Sequence, residues 1–308
     1  MVKFLLIFDI NCHGEFLYDL STRLAHSCEP NTFCRSQGDD LQYVATRRIE
    51  EGEMLTFSYI GGGPIMVAST RMRRRRLLRL GFFCYCQRCR RPDSMRRLRC
   101  PKCSGSECMP EHSIVNFEEI EKKGREGTRV KPRVETSWRC HAEGCDFELE
   151  HPDEDKLPLS QEEELEETVF EECCRDPVEF RSQLDGPQLW KLGQVCEAEL
   201  GPMHWTNAAV DPSKQCLPSP EQILSITRTM IAWFREQMPN SLEEAKMMPI
   251  AAQIFSGFGL KEEAAAAMAP SIPLLHVMHH SNVKACERCV IESGSEELLK
   301  IARLSVDE

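Results

Sequence analysis

The chain has 308 residues, 41% of them hydrophobic, which is enough for two or three domains with buried cores and too ordinary for a disordered chain. Its net charge of −11 is uneven: residues 1–100 carry 17 Lys and Arg against 10 Asp and Glu, and the remainder 21 against 39, so the two parts attract each other or face different partners. No apolar run has the length of a membrane span, and residues 1–10, broken by Asp9 and followed by no small-residue cleavage site, do not read as a secretory leader, so the 17 cysteines are expected to be reduced thiols that bind metal where they cluster.

In chain order, residues 1–10 read as the middle of a strand, with the expectation that the domain starts upstream. Residues 41–48 and 54–60 are predicted strands, separated by the turn Glu50-Glu51-Gly52-Glu53, and Gly61-Gly62-Gly63-Pro64 stops the second. Residues 66–80 are a basic helix containing Arg71 and Arg73 to Arg76; such a run is a solvated face set against the acidic second half, and nucleic acid is not expected as a direct ligand. A cysteine-rich segment follows over 82–145, with a charged loop at 118–133. Residues 151–167 are acidic and contain Pro152 and Pro158, as a linker or the approach to a helix does. Helices are predicted over 189–200, 221–238, 241–255 and 261–268, punctuated by Pro202, Pro218, Pro220, Pro239 and Pro270, in a style compatible with a tetratricopeptide-like array. Cys173-Cys174, His204-Trp205, His279-His280 and Cys286-x-x-Cys289 read as structural helix residues.

Two cysteine clusters stand out. Cys84-x-Cys86-x-x-Cys89 supplies three thiolates from one loop, while zinc takes four sulfur or nitrogen ligands in a tetrahedron, so a fourth must come from a distance; Cys28 is the candidate because of the motif-bearing segment that holds it. Cys100-Pro101-Lys102-Cys103 pairs with Cys140-x4-Cys145 as a zinc ribbon or knuckle, with Trp138 and Phe147 packed around it. The second pair is wider than usual, so Cys108, His112 or His141 can substitute for one of its members.

The segment Arg23-Leu24-Ala25-His26-Ser27-Cys28-Glu29-Pro30-Asn31 resembles the SET-domain motif R-x-x-N-H-S-C-x-P-N. It is followed by Ala45-Thr46-Arg47-Arg48-Ile49 and by Gly52-Glu53-Met54-Leu55-Thr56-Phe57-Ser58-Tyr59, which resemble the family's A-x-R-x-I and G-E-E-L-T-x-x-Y elements. Phe82-x-Cys84-x-Cys86-x-x-Cys89 resembles the post-SET motif, and Asn11-Cys12-His13-Gly14 with Leu17-Tyr18 matches the stretch before the histidine motif in SET-and-MYND proteins. The resemblance covers roughly residues 8–90. It implies transfer of a methyl group from S-adenosylmethionine to a protein lysine, histone or other, with Tyr59 as the catalytic tyrosine, His26 and Phe82 at the cofactor, Cys28 as the fourth zinc ligand, and segment 23–31 threaded against 52–59.

That chemistry needs a neutral amine, whereas free lysine, with a pKa of about 10.4, is mostly protonated. A narrow apolar channel lowers that pKa, and a tyrosine hydroxyl at its mouth orients the amine. The sequence departs from the family at Ala25, where an asparagine would both donate and accept hydrogen bonds. It also lacks, within its own length, the early SET strands with their G-x-G-like turn. The expected architecture is α+β: a partial β-rich SET and post-SET region at 1–92, a zinc-ribbon-like insert at 93–150 and a helical domain at 151–308. The expected function is a protein-lysine methyltransferase of the cytoplasm or nucleus, with zinc and S-adenosylmethionine as cofactors. The rival is a non-catalytic, zinc-stabilised protein-interaction module.

Overall fold

The structure, a computed structural model, describes residue 18 and residues 21–37, 40–61, 64–126, 130–173, 184, 186–209 and 220–278. Residues 11–14, Leu17, Cys174, the His279-His280 pair and Cys286 with Cys289 lie outside them.

Four short strands open the described chain: β1 (Ala25–His26), β2 (Thr32–Gln37), β3 (Asp40–Ala45) and β4 (Thr56–Phe57). β2 and β3 form an antiparallel hairpin with Thr32 opposite Ala45, and β1 pairs in parallel with β4, Ala25 opposite Thr56. The second predicted strand, 54–60, shrinks to two residues because its start turns outward, leaving Met54 67% and Leu55 47% exposed. Buried Asn31 holds this turn: its Nδ2 donates to the Met54 carbonyl at 2.9 Å and its Oδ1 accepts from the Thr56 N–H at 2.8 Å. One amide side chain thus satisfies backbone groups that a longer strand would pair.

Next come α1 (Pro64–Val67), α2 (Thr70–Leu78) and α3 (Gln87–Arg90). Ser69 caps α2, accepting from the Met72 N–H at 3.3 Å. A three-stranded antiparallel sheet follows, in the order β5 (Cys108–Ile114), β6 (Val134–Cys140), β7 (Glu148–Leu149). The first half of the charged loop expected at 118–133 is instead part of a helix, α4 (Phe117–Arg125), while residues 130–133 have no regular structure. Glu118 and Glu119 favour its start, and Asn116 ties its base to the returning chain through the Lys131 carbonyl at 3.1 Å and the Arg133 N–H at 2.8 Å.

The remaining described residues are chiefly helical: α5 (Leu159–Cys173), α6 (Gly186–Leu200), α7 (Trp205–Ala209), α8 (Pro220–Gln237), α9 (Leu242–Gly257), α10 (Lys261–Met268) and α11 (Ile272–Met278). The acidic stretch at 151–167 is thus chiefly the first part of α5. The main apolar core joins both regions. Ile65, Met66, Met72 and Met95 pack with Val169, Phe170, Trp205, Trp233 and Phe255.

The basic run does not form a solvated face. Arg73 is fully buried and Arg74 is 6% exposed. Arg71 reaches across to α5, where its Nε donates to Glu166 at 2.9 Å and its guanidinium pairs with Glu163 at 3.1 Å; Arg75 pairs with Glu167. Beneath them Arg96 forks onto buried Glu162 at 2.7 and 2.6 Å, His204 joins the same carboxylate at 3.2 Å, and the Trp205 indole donates to Glu166 at 2.5 Å. Glu162, Glu166 and His204 gather closely enough to hold a cation. Arg96 and Arg71 already neutralise both carboxylates, so the cluster is an ionic clasp rather than a metal site.

Burial pushes the Glu162 carboxyl up, but the Arg96 guanidinium outweighs it and holds it down at about 2. A carboxyl depressed in the fold stabilises it at pH above the ordinary value near 4.5, and that contribution disappears as pH falls toward 2. Glu162→Ala, which leaves Arg96 buried and unpaired, is expected to cost about 3–5 kcal/mol in urea unfolding at neutral pH. In Glu162→Gln the loss of stability between pH 4.5 and 2 flattens; an unchanged acid profile would rule out this pair as its cause.

Candidate functional site

The sulfurs of Cys28, Cys84, Cys86 and Cys89 all lie within 4.8 Å of one another. Cys28 Sγ is 3.9 Å from Cys84 Sγ and 3.6 Å from Cys89 Sγ. That is far beyond a disulfide, and it matches the edge of about 3.8 Å set by a tetrahedron of sulfurs about 2.3 Å from zinc. The Cys28 N–H points at Cys86 Sγ and the Cys86 N–H at Cys84 Sγ, both at 3.4 Å. The Cys86 thiol falls well below the usual thiol range, chiefly through Cys28, while Cys84 is pushed far up, again chiefly by Cys28. Four sulfurs in this space cannot all be thiolates without a positive ion among them.

The surroundings suit such an ion. Arg73 lies against Cys89 Sγ at 3.8 Å and also donates to Thr70 Oγ1 at 2.9 Å. Burial works against its charge, but the nearby sulfurs, Cys28 first, outweigh burial and hold it protonated. Arg74 donates to the Cys84 and Cys89 carbonyls at 3.3 and 3.0 Å, and Arg88 to the Cys28 carbonyl at 2.9 Å. Arg74 and Arg88 thus hold the backbone of the sulfur cage, Arg73 lies on one of its sulfurs, and together they would reduce the negative charge of four thiolates around a zinc ion. Composition hinted at them only as a basic run beside a cysteine loop; their inward direction was not legible.

The second group brings together Cys100, Cys103, Cys140 and Cys145, with Cys100 Sγ to Cys145 Sγ at 3.8 Å and Cys103 Sγ to Cys140 Sγ at 3.7 Å. Lys102 N–H points at Cys100 Sγ at 3.4 Å, as in a zinc knuckle. Gly144, at φ 77°, makes the turn that lets the wider Cys140-x4-Cys145 pair close. Trp138 and Phe147 pack beside this group. The alternatives are placed elsewhere: His112 bonds Thr136 Oγ1 at 3.0 Å, His141 pairs with Glu111 at 3.3 Å, and buried Cys108 is not one of the four. Both groups offer four protein ligands and no open position, so a metal there serves structure. Cys103 is exposed, whereas in the first group three of the four sulfurs are buried.

Beside the first cage lies an open cleft of about 360 Å³, lined by Ala25, His26, Tyr59, Phe82, Phe83 and Tyr85. The His26 ring centroid lies 5.4 Å from Tyr59 and 5.7 Å from Phe82. His26 Nδ1 accepts from the Tyr59 N–H at 3.1 Å, so its Nε2 carries the proton and donates to Cys28 Sγ at 3.3 Å. Both ring nitrogens are therefore spent, and the imidazole offers the cleft its face. Burial lowers the His26 pKa to about 4, keeping the ring neutral. The Tyr59 hydroxyl donates to the Leu24 carbonyl, and burial pushes its pKa up, so it stays a phenol. Segment 23–31 does lie against 52–59, through the β1–β4 pair, the Ser27 N–H on the Phe57 carbonyl at 3.1 Å, and Asn31. Asn31 was visible in the motif, but its role as the clip between these segments was not.

The family model for the SET domain matches residues 5–60. The histone-lysine N-methyltransferase SET5 of Eremothecium gossypii is 34% identical over 91 residues, 30% of this chain and 18% of that protein. Its namesakes from Meyerozyma guilliermondii and Saccharomyces cerevisiae are 36% identical over 89 residues and 32% over 85, in each case 27% of this chain and 17% and 15% of theirs. The chain thus spans less than a fifth of the length of the curated relatives it matches. It carries a SET-domain segment, within a fold of mixed helix and small sheets, and is similar to histone-lysine methyltransferases. No helix among the described residues is long and apolar enough to cross a membrane.

The purified chain is expected to carry two zinc ions by elemental analysis. A chelator should remove them in sequence, first from the site with exposed Cys103 and later from the buried one. Release of both together, or a content of one, would contradict two independent sites. Cys28→Ser should lower the content to one and loosen the packing of Tyr59 and Phe82, read by near-ultraviolet circular dichroism.

Proposed function

We propose that the chain is part of a protein-lysine methyltransferase of the SET-and-MYND kind, with residues 1–92 as a partial SET and post-SET region. In this reading residues 93–150 form a zinc-ribbon insert and residues 151–308 a helical, tetratricopeptide-like domain. The observation that carries it is that Cys28 and the 84–89 loop meet and thereby place Tyr59, His26 and Phe82 around one cleft. Zinc at both cysteine groups is structural. S-adenosylmethionine supplies an electrophilic methyl group on a sulfonium.

Phe82 and the His26 face offer flat surfaces suited to a purine. Tyr59, whose proton is committed to the Leu24 carbonyl, keeps oxygen lone pairs with which to orient an amine N–H. The apolar walls disfavour an ammonium, so the substrate lysine enters the reaction neutral. Neither His26 nor Tyr59 is a free base, so that proton leaves to water. The partner is a lysine-bearing protein, histone or other, met in the cytoplasm or nucleus.

Ala25 favours a second reading. It lines the cleft with a methyl group where a donor and an acceptor are expected, which leaves a zinc-stabilised interaction module without catalysis. Titration calorimetry on the zinc-loaded chain separates the two. Ala25→Asn is expected to tighten S-adenosylmethionine binding by about tenfold. Tyr59→Phe should keep that binding and slow methyl transfer to a lysine peptide by about a hundredfold. No detectable heat for either the unmodified chain or Ala25→Asn would sink the methyltransferase reading.

A further inference from the structure

A second pocket lies apart from the aromatic cleft and shares no residue with it. It encloses about 200 Å³ where Thr46, just past β3, meets the first turn of α9 and the chain leading into α11. Junctions of this kind, between a sheet region and a helical one, are common ligand sites. Its rim residues Asn240, Pro270 and Pro273 are exposed, while Glu244 and Ser271 beneath them are only 4% and 3% exposed.

Those two polar residues have acceptor capacity to spare. Glu244 is the third residue of α9, where its own N–H is capped by Ser241 Oγ at 3.0 Å and its Oε2 accepts from the Asn240 N–H at 2.6 Å. The helix start offsets part of its charge, but no ion pair joins it to a described residue, and a carboxylate can accept about four hydrogen bonds. The Ser271 hydroxyl has no partner among the described residues. Buried groups left this way are costly unless a donor reaches them. Ala245, Leu274 and the two prolines make the other walls apolar.

We propose that this pocket takes the side chain of a lysine from a protein partner. Its methylenes lie along the proline and leucine walls, and its ammonium, with three donors and no acceptor, meets Glu244 and Ser271. Tyr59 does not line the pocket, so this lysine is not the one presented to the cleft, and the pocket binds whether or not the chain transfers methyl groups.

The test is fluorescence anisotropy on the full zinc-loaded chain at physiological ionic strength. The probe is a labelled peptide of alternating glycine and lysine, with counterparts carrying arginine or norleucine in place of lysine. The lysine peptide binds best and the norleucine peptide fails. Glu244→Gln keeps the acceptor for the Asn240 N–H, so it weakens lysine binding by about tenfold without lowering the melting temperature. Ser271→Ala weakens binding by about threefold while holding or raising the melting temperature, because it deletes an unpartnered buried hydroxyl. Glu262→Gln, an equal loss of charge at an exposed position of α10, leaves binding unchanged.

Three results would overturn the proposal: Glu262→Gln weakening binding as much as Glu244→Gln, the arginine peptide binding as well as lysine, or free n-butylamine binding as tightly as the peptide. The last would make the pocket a site for free amines. If Glu244→Gln disturbs folding, the opposed effects of Ser271→Ala on binding and stability decide the matter.

Discussion

The first sulfur cage joins two places in the chain that little else would hold together. Cys28 is 56 residues before Cys84, and the strands between are short: β1 and β4 have two residues each, and β2 and β3 form a lone hairpin. Such strand pairs do not sustain a domain alone. Zinc held by these four sulfurs would supply binding free energy of about 10–16 kcal/mol, which for a region with so little sheet would be folding free energy. Asn31 and the β1–β4 pair then set the register at which Tyr59 meets His26.

The basic surplus of residues 1–100 is divided between two duties. Arg73, Arg74 and Arg88 turn toward the sulfur cage, on Cys89 Sγ and three cysteine carbonyls. Arg71, Arg75 and Arg96 turn toward α5, where Glu162, Glu163, Glu166 and Glu167 receive them. Residues of α2 take part in both, so the helix couples the sulfur cage to the helical region. Part of the charge asymmetry is therefore spent inside the molecule, between α2, Arg96 and α5.

Much of this was legible where a local rule decides the outcome. Three cysteines in six residues require a distant fourth ligand, the motif resemblance of residues 23–31 named Cys28, and Cys28 lies beside them; helices with clear caps, such as that begun by Ser241, fall close to their predicted limits. The failures share one cause, which is that tertiary partners override local pattern. Residues 118–125 read as a polar loop because charged residues dominate them, yet Phe117 and Ile120 share one helix face and Asn116 ties the segment to the returning hairpin. Residues 151–167 read as a linker or the approach to a helix because they are acidic; residues 159–167 form the start of α5, and the pattern does not show that Glu162 and Glu166 are buried by guanidinium groups 66 and 95 residues away. Periodicity scores a buried glutamate as polar, so no sequence window contains that signal.

The cleft shows why intact motif aromatics are weak support for catalysis in this chain. Tyr59 gives its hydroxyl proton to Leu24 and its N–H to His26, and Phe82 packs edge-on against Tyr59 at 5.8 Å. His26 in turn donates to Cys28, a member of the sulfur cage. These residues would be kept in place by a purely structural metal centre, with or without methyl transfer. Ala25 is different: it lines the cleft and supports nothing in the cage. The chemistry at that one position therefore bears on enzyme against interaction module more directly than the preserved rings do, because it is the place where cofactor binding and scaffold stability make separate demands.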